Sequence, residues 1–219
     1  MLSSSIILLV ASACYNPDLS NIGSPSETLD PLDGLIDPVD PVAAQFIKHD
    51  ITERLYVVTG QTGAELRNSV IELGPKDPNS GKTMSAVTSS YFVPELNSDS
   101  CDLQRLTINT EIILPHYSGS QTPDSESFTN LIALIKLHEL QHVELARRYG
   151  ALIVKEINSE LDELKNMTFN SCDDQNRVVG SVTDRIFESF RFDNVELDAR
   201  TQHGRDVGAC WDCVGWQDE

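Results

Sequence analysis

Residues 128–164 read FTNLIALIKLHELQHVELARRYGALIVKEINSELDEL. The stretch contains no proline and one glycine, Gly150. Leu131, Leu134, Leu137, Leu145, Ala146, Ile153, Ile157, Leu161 and Leu164 recur near helical spacing, which predicts one long amphipathic helix capped by Ser125 or Ser127. Downstream, Asn170-Ser171-Cys172 marks a break, and a second helix is expected from about Asp174 to Ala199 or beyond. Upstream, Leu103–Leu114 alternates apolar and polar residues and stops at Pro115, as a strand does. Ile51–Val58 and Thr83–Val93 read as two further strands, and Thr62 can cap a helix over Gly63–Leu73 that Gly74-Pro75 ends. Strands first and long helices after them give an α+β domain over residues 46–219. Its strands are expected to form an antiparallel meander.

The long helix carries His138-Glu139-Leu140-Gln141-His142. Residues four apart share a helix face, so both imidazoles can point at one spot. Zinc takes imidazole nitrogens at about 2.0–2.1 Å, and catalytic sites pair three protein ligands with one open position for water. Glu139 lies a quarter-turn from His138, within reach of a zinc-bound water and able to take its proton without binding the metal. This is the chemistry of the H-E-x-x-H pattern. Against it stand Lys136 and Glu144, charged where zinc-protease helices are usually uncharged. The plain reading of the same residues is a solvated face with pairs such as Glu144–Arg148.

A third ligand has several sources. Glu156, Glu160 and Glu163 follow on the same helix, but Glu160 lies about 27 Å along an unbroken helix from His142 at 1.5 Å per residue. The other histidines are His49, His116 and His203. His203 is the most attractive, since the second helix could return it to the first and Gly204 permits a close turn. Asp198 could then orient a ligand histidine from behind. His49 and His116 are weaker alternatives.

The ends of the chain add context. The 219 residues hold 34 Asp+Glu against 16 Lys+Arg, a formal net charge of −18, which argues against nucleic-acid backbones and against docking on anionic lipid by charge. MLSSSIILLVASAC (1–14) has the apolar run and small residues of a secretory signal, although no basic residue precedes the run. Val10-Ala11-Ser12-Ala13-Cys14 resembles a lipoprotein box, so Cys14 is a candidate for lipidation and the sole expected route to a membrane. Residues 15–45 are rich in Pro, Asp, Ser and Gly and lack Lys and Arg until Lys48, and are expected to be a flexible tether. Cys101, Cys172, Cys210 and Cys213 remain, and four thiols allow three pairings in an oxidising compartment. The spacing of Cys210-Trp211-Asp212-Cys213 favours a local disulfide over zinc or redox work, because no second C-x-x-C and no βαβ context accompany it.

Between Tyr56 and Gly208 the sequence resembles the bacterial predicted secreted zinc-dependent protease family. The resemblance rests on Tyr56-Val57-Val58-Thr59-Gly60 with Thr62-Gly63-Ala64-Glu65-Leu66, on Gly74-Pro75, on Cys101 and Cys172, and on His138-Glu139 with His142. Its most diagnostic block is Leu197-Asp198-Ala199-Arg200-Thr201-Gln202-His203-Gly204. It implies a zincin-like domain with His138, His142 and His203 as ligands of one Zn2+ and Glu139 as base. It also implies a Cys101–Cys172 bridge, which leaves Cys210 to pair with Cys213. The chain departs from the family pattern at Leu197, where Tyr is common, and in its CWDC tail. The resulting expectation is an exported metalloendopeptidase of the bacterial periplasm or cell envelope, lipid-anchored through Cys14, acting on peptide or protein substrates. Two rivals are a non-catalytic zincin-like envelope binding or assembly lipoprotein, and a metal-free interaction module stabilised by disulfides.

Overall fold

The computed structural model describes residues 9–10, 31–76, 81–165 and 171–209. Its elements run β1 (Leu9–Val10), α1 (Pro41–Ala44), β2 (Ile47–Val58), α2 (Gly63–Leu73), β3 (Val87–Leu96), β4 (Leu103–Tyr117), α3 (Pro123–Lys165) and α4 (Cys172–Arg200), with a 3-10 turn at Arg205–Val207. The α+β class expected from the sequence is the class observed. Expectations that fall on Cys14, Cys210, Cys213 and most of residues 1–30 lie outside the described residues.

The sheet has the order β1-β3-β4-β2. β3 and β4 form the expected antiparallel pair, from Val87↔Ile113 onward. β2, however, pairs with β4 in parallel, from Ile47↔Leu106 to Val58↔Tyr117, so the sheet is not a plain meander. The reason is α2: a helix between β2 and β3 lets the chain pass over β4, and β2 takes β4's far edge instead of pairing with its neighbour in sequence. Thr62 caps α2 with a reciprocal box to Glu65, as its position before the apolar run predicts.

α3 extends five residues further upstream than the sequence reading placed it. Pro123 supplies the preset φ of a first turn. Thr122 and Ser125 cap reciprocally, with the Ser125 N–H donating to Thr122 Oγ1 at 3.1 Å and the Thr122 N–H to Ser125 Oγ at 2.8 Å. Gly150 does not weaken the helix. A Cβ there would stand 2.5 Å from Ile108 Cδ1, so the glycine lets α3 press against β4.

Two apolar clusters flank the middle of α3. One gathers Phe128, Leu131, Ile135 and Val143 with Val58, Leu66, Val70, Ile112 and Leu114. The other runs from Leu145 to Leu161 and takes in Leu106, Ile108, Val182, Phe187 and Phe190. Between them the buried face of α3 is held by His138, Glu139 and His142. Leu137, counted in the apolar stripe from spacing, is 52% exposed, because the histidines occupy the inward positions and leave it a quarter-turn away.

The tether expected over residues 15–45 is, from residue 31, folded onto the domain. Leu32 and Ala43 join the core. Arg148 donates to the Ile36 carbonyl and Arg200 to the Asp33 carbonyl. Asp40 caps α1 through the Val42 N–H, and Pro41 opens that helix. The leucines between the prolines supplied enough apolar surface to dock what composition marked as a spacer. Cys101 and Cys172 are bonded, with Cα atoms 5.5 Å apart, tying the loop before β4 to the start of α4.

Candidate metal centre

α3 and α4 are joined through residues 166–171 and present matching i,i+4 pairs to each other: His138 and His142 on one, Asn194 and Asp198 on the other. Asp198 Oδ1 lies 3.1 Å from His138 Nε2 and 3.1 Å from His142 Nε2. The two Nε2 atoms are 3.3 Å apart. Two ligands bound at 2.0–2.1 Å to a tetrahedral ion stand about 3.3 Å from each other, so these three atoms already have the spacing of co-ligands. Among the described residues, His138, His142 and Asp198 form the group of His, Cys, Asp or Glu side chains that could hold a metal ion, and all three are buried.

Asp198, expected behind a ligand histidine, lies where the two imidazoles converge and could itself donate to an ion. His203, expected as the third ligand, sits half-buried with Nδ1 3.8 Å from the same Asp198 oxygen. His49 hydrogen-bonds Thr110 Oγ1 from β2, and His116 is exposed on β4. Neither joins the group. Because α3 is unbroken through Gly150, Glu156 and Glu160 point to Arg185 of α4 instead.

The end of α4 explains the residues around His203. Gln202, His203 and Gly204 all adopt positive φ, at 49°, 56° and 83°. The His203 N–H donates to the Asp198 carbonyl at 2.7 Å, closing the helix with a left-handed turn. Buried Thr201 fixes the turn by donating its hydroxyl to the Leu197 carbonyl at 2.8 Å. Gly204 then passes so close to the first histidine that a Cβ would lie 2.9 Å from His138 Cγ. Asp, Thr, His and Gly at this spacing thus build one wall of the centre.

Asn194 is a residue of the candidate centre that the sequence reading missed. Its Nδ2 donates to the Phe190 carbonyl at 2.7 Å, so its Oδ1 faces His142 and accepts from Nδ1 at 2.8 Å. With the proton fixed on Nδ1, Nε2 is the nitrogen that can offer a lone pair. Asn194 sits four residues before Asp198, the same step as His138 to His142, which is the one signal that could have pointed to it. Thr88 of β3, also missed, donates to Glu139 Oε2 at 2.7 Å.

Charge is concentrated here on side chains almost closed to solvent. Glu139, His138, His142 and Asp198 are 1–4% exposed. Burial pushes the Glu139 carboxyl above its usual range, only partly opposed by His142 and His138. Burial would lower His142, but the Asp198 carboxylate, its hydrogen bond and Glu139 carry it up to about 9. Burial would likewise raise Asp198, yet His142, His138 and His203 hold it well below the carboxylate range. Without a cation, an imidazolium and a carboxylate balance each other at the spot where the three donors converge.

Residues 53–204 match the family described as bacterial protein of unknown function (DUF922). The chain belongs to that family. No curated protein and no solved structure matches it. Every residue of the centre, from Thr88 to Gly204, falls inside the DUF922 span, as do Cys101 and Cys172. The span stops at the glycine that approaches His138, whereas β1 and the docked segment 31–45 lie outside it.

Proposed function

We propose that this DUF922 protein is an exported zinc-dependent hydrolase that cuts peptide or protein substrates. One observation carries the reading: the carboxylate of Glu139, held by Thr88, lies close enough to feel the charges of His142, His138 and Asp198, whose donor atoms are already spaced as ligands of one ion. Two imidazoles and a carboxylate are a nitrogen and oxygen set that suits zinc. His138, His142 and Asp198 would hold it, with His203 within reach as a further donor. Zinc bound there would polarise a substrate carbonyl and acidify a neighbouring water. Glu139 would accept and return the proton, and burial pushes its carboxyl upward, in the direction that makes a carboxylate a stronger base. Asn194 keeps Nε2 of His142 turned inward. Export, with Cys14 as a lipid anchor, is part of the same proposal, supported by the signal-like N-terminus and by a Cys101–Cys172 bridge that favours an oxidising compartment.

The near-complete burial of the centre favours a second reading, a zinc-holding binding or assembly protein without turnover, since structural zinc sites are closed. Metal analysis of the wild type and of Glu139→Gln, each assayed on a broad peptide library, separates the two. The hydrolase binds one zinc in both forms and loses about 10²–10⁴-fold in rate on Glu139→Gln. Hydrolysis that survives this change sinks the mechanism, and zinc without any cleavage favours the binder. Absence of zinc from the wild type would leave the metal-free interaction module. Asp198→Asn beside His203→Ala decides the third ligand: the stronger loss of zinc affinity marks it.

A further inference from the structure

We infer that the outer edge of β2 is a self-pairing surface, on which a second copy of this chain adds its own β2 antiparallel across a two-fold axis at Thr52. β2 ends the sheet order β1-β3-β4-β2, and among the described residues it pairs with β4 alone. The groups on its other edge follow from two hydrogen bonds. The carbonyls of Phe46 and Val58 both point to β4, accepting from the Leu106 N–H at 2.8 Å and the Ser118 N–H at 2.9 Å. The N–H and C=O of one strand residue point the same way, and successive residues alternate. The register to β4 runs without a break from Ile47 to Val58, so the even-numbered residues face β4. His49, Ile51, Glu53, Leu55 and Val57 turn their N–H and C=O groups outward.

Exposed edges are ordinarily blunted by proline, bulges, shortness or charge. This strand has twelve residues and contains neither proline nor glycine. Lys48, a charge that could guard it, is bonded to Asp50, and Glu53 is bonded to Lys136 of α3. The odd-numbered side chains lie on the face that α3 covers, beside Ile108, Thr110, Ile112 and Leu114 of β4. There Ile51, Leu55 and Val57 are each about half exposed, and Leu140, one turn of α3 from Lys136, is 39% exposed. An open ladder and an apolar strip thus run side by side.

The charges of the strand select the occupant. A two-fold axis perpendicular to the sheet keeps each face on its own side, so even residues meet even and odd meet odd. With the axis at Thr52, near the middle of the strand, Asp50 lies opposite Arg54 of the second copy, twice. Moving the axis to Ile51 sets Lys48 against Arg54, and moving it to Glu53 sets that carboxylate against itself. Like charges directly opposite destabilise, and opposite charges stabilise. At Thr52 the outward-facing groups bond in the pairs Ile51–Glu53, His49–Leu55 and Ile47–Val57, and the half-exposed apolar side chains of both copies come together on the α3 face. Thr52 meets its counterpart in a non-hydrogen-bonded pair, where side chains approach most closely. None of this depends on what the metal centre does.

The test uses the full chain. Sedimentation equilibrium is expected to give twice the chain mass of 24.2 kDa at about 100 μM, where a dimer of micromolar Kd is formed. With Thr52→Cys, mild oxidation is expected to give a covalent dimer, mapped by mass spectrometry to position 52. With Lys48→Cys, whose two copies stand roughly 26 Å apart along the pair, no link at position 48 is expected. Arg54→Asp sets like charges opposite each other and is expected to weaken dimerisation at least about fivefold. Adding Asp50→Arg restores opposite charges and is expected to recover it. Within one chain these two positions are about 13 Å apart along the strand, so a merely local role predicts no recovery. Melting temperatures measured alongside separate a lost interface from a lost fold. A wild type that stays monomeric, a dimer that does not link at position 52, or a charge swap that fails to restore dimerisation overturns the inference.

Discussion

Replacing Gly204 by alanine tests how tightly the end of α4 is fitted to the metal centre. The new Cβ would meet His138 Cγ at 2.9 Å and the Cβ atoms of His138 and Ala209 at 3.0 Å, on a residue with φ +83°. Ordinary contact begins at 3.4 Å, so the imidazole must retreat by roughly 0.5 Å or more, while ligand distances tolerate about 0.2 Å. His138 has little room to retreat, because its Nε2 is 3.1 Å from Asp198 and 3.3 Å from His142. The left-handed backbone costs an alanine about 1 kcal/mol, and forced overpacking costs about 1–3 kcal/mol more. Together these lower the melting temperature by about 5–15 °C in a domain of this size. Zinc affinity, measured by competition with a chelator of known strength, should fall at least about tenfold. Gly180→Ala, inside α4, is the control for a glycine without crowding, since nothing lies within 4 Å of its Cβ position, and it should stabilise by up to about 1 kcal/mol. A Gly204→Ala protein that melts with the wild type and binds zinc within about twofold would show that the turn does not hold His138 in place.

Other outcomes follow from the same geometry. Asn194→Leu leaves the His142 Nδ1–H without its acceptor, and zinc affinity should drop about 10–100-fold with the helical circular dichroism unchanged. With zinc removed by chelator, the His142 pKa raised from 6.5 to about 9 gives the fold a stabilising contribution that is fully present below pH 6.5. That contribution, on the order of 3 kcal/mol, is lost as pH rises through about 9. A urea midpoint that stays flat between pH 6 and pH 9.5 would contradict it. Reducing the Cys101–Cys172 bond, which spans 71 residues of sequence, should cost about 4 kcal/mol by the loop it closes, read from denaturation midpoints of oxidised and reduced protein.

Much of this arrangement could be read before any coordinates. The i,i+4 step of His138 and His142, the Thr62 cap, the two long helices and the importance of the Asp198–Gly204 block are all local patterns, and local patterns survive folding. What escaped were features set by elements meeting. The parallel pairing of β2 with β4 depends on where α2 carries the chain, and no residue in either strand announces it. That Asp198 stands with both imidazoles, while His203 reaches it from a left-handed turn of three residues, depends on a backbone conformation that no side-chain pattern announces. Asn194 is one ordinary helical asparagine until α3 lies opposite it. Residues 31–45 mislead by composition: proline and aspartate dominate the count, while Leu32 and Ala43 do the packing.

The docked segment also determines how the molecule bears load. A pull applied on the N-terminal side of residue 31 enters the domain at Leu32, seated in the core, and at the Asp33 carbonyl, gripped by Arg200 at 2.9 Å. Arg200 is two residues beyond Asp198. Tension on a surface-tethered chain would thus be delivered to the last turn of α4, the turn that carries a donor oxygen and aims His203, rather than being dissipated in slack polymer. If the chain is attached through Cys14, as proposed, that attachment and the candidate metal centre share one mechanical path.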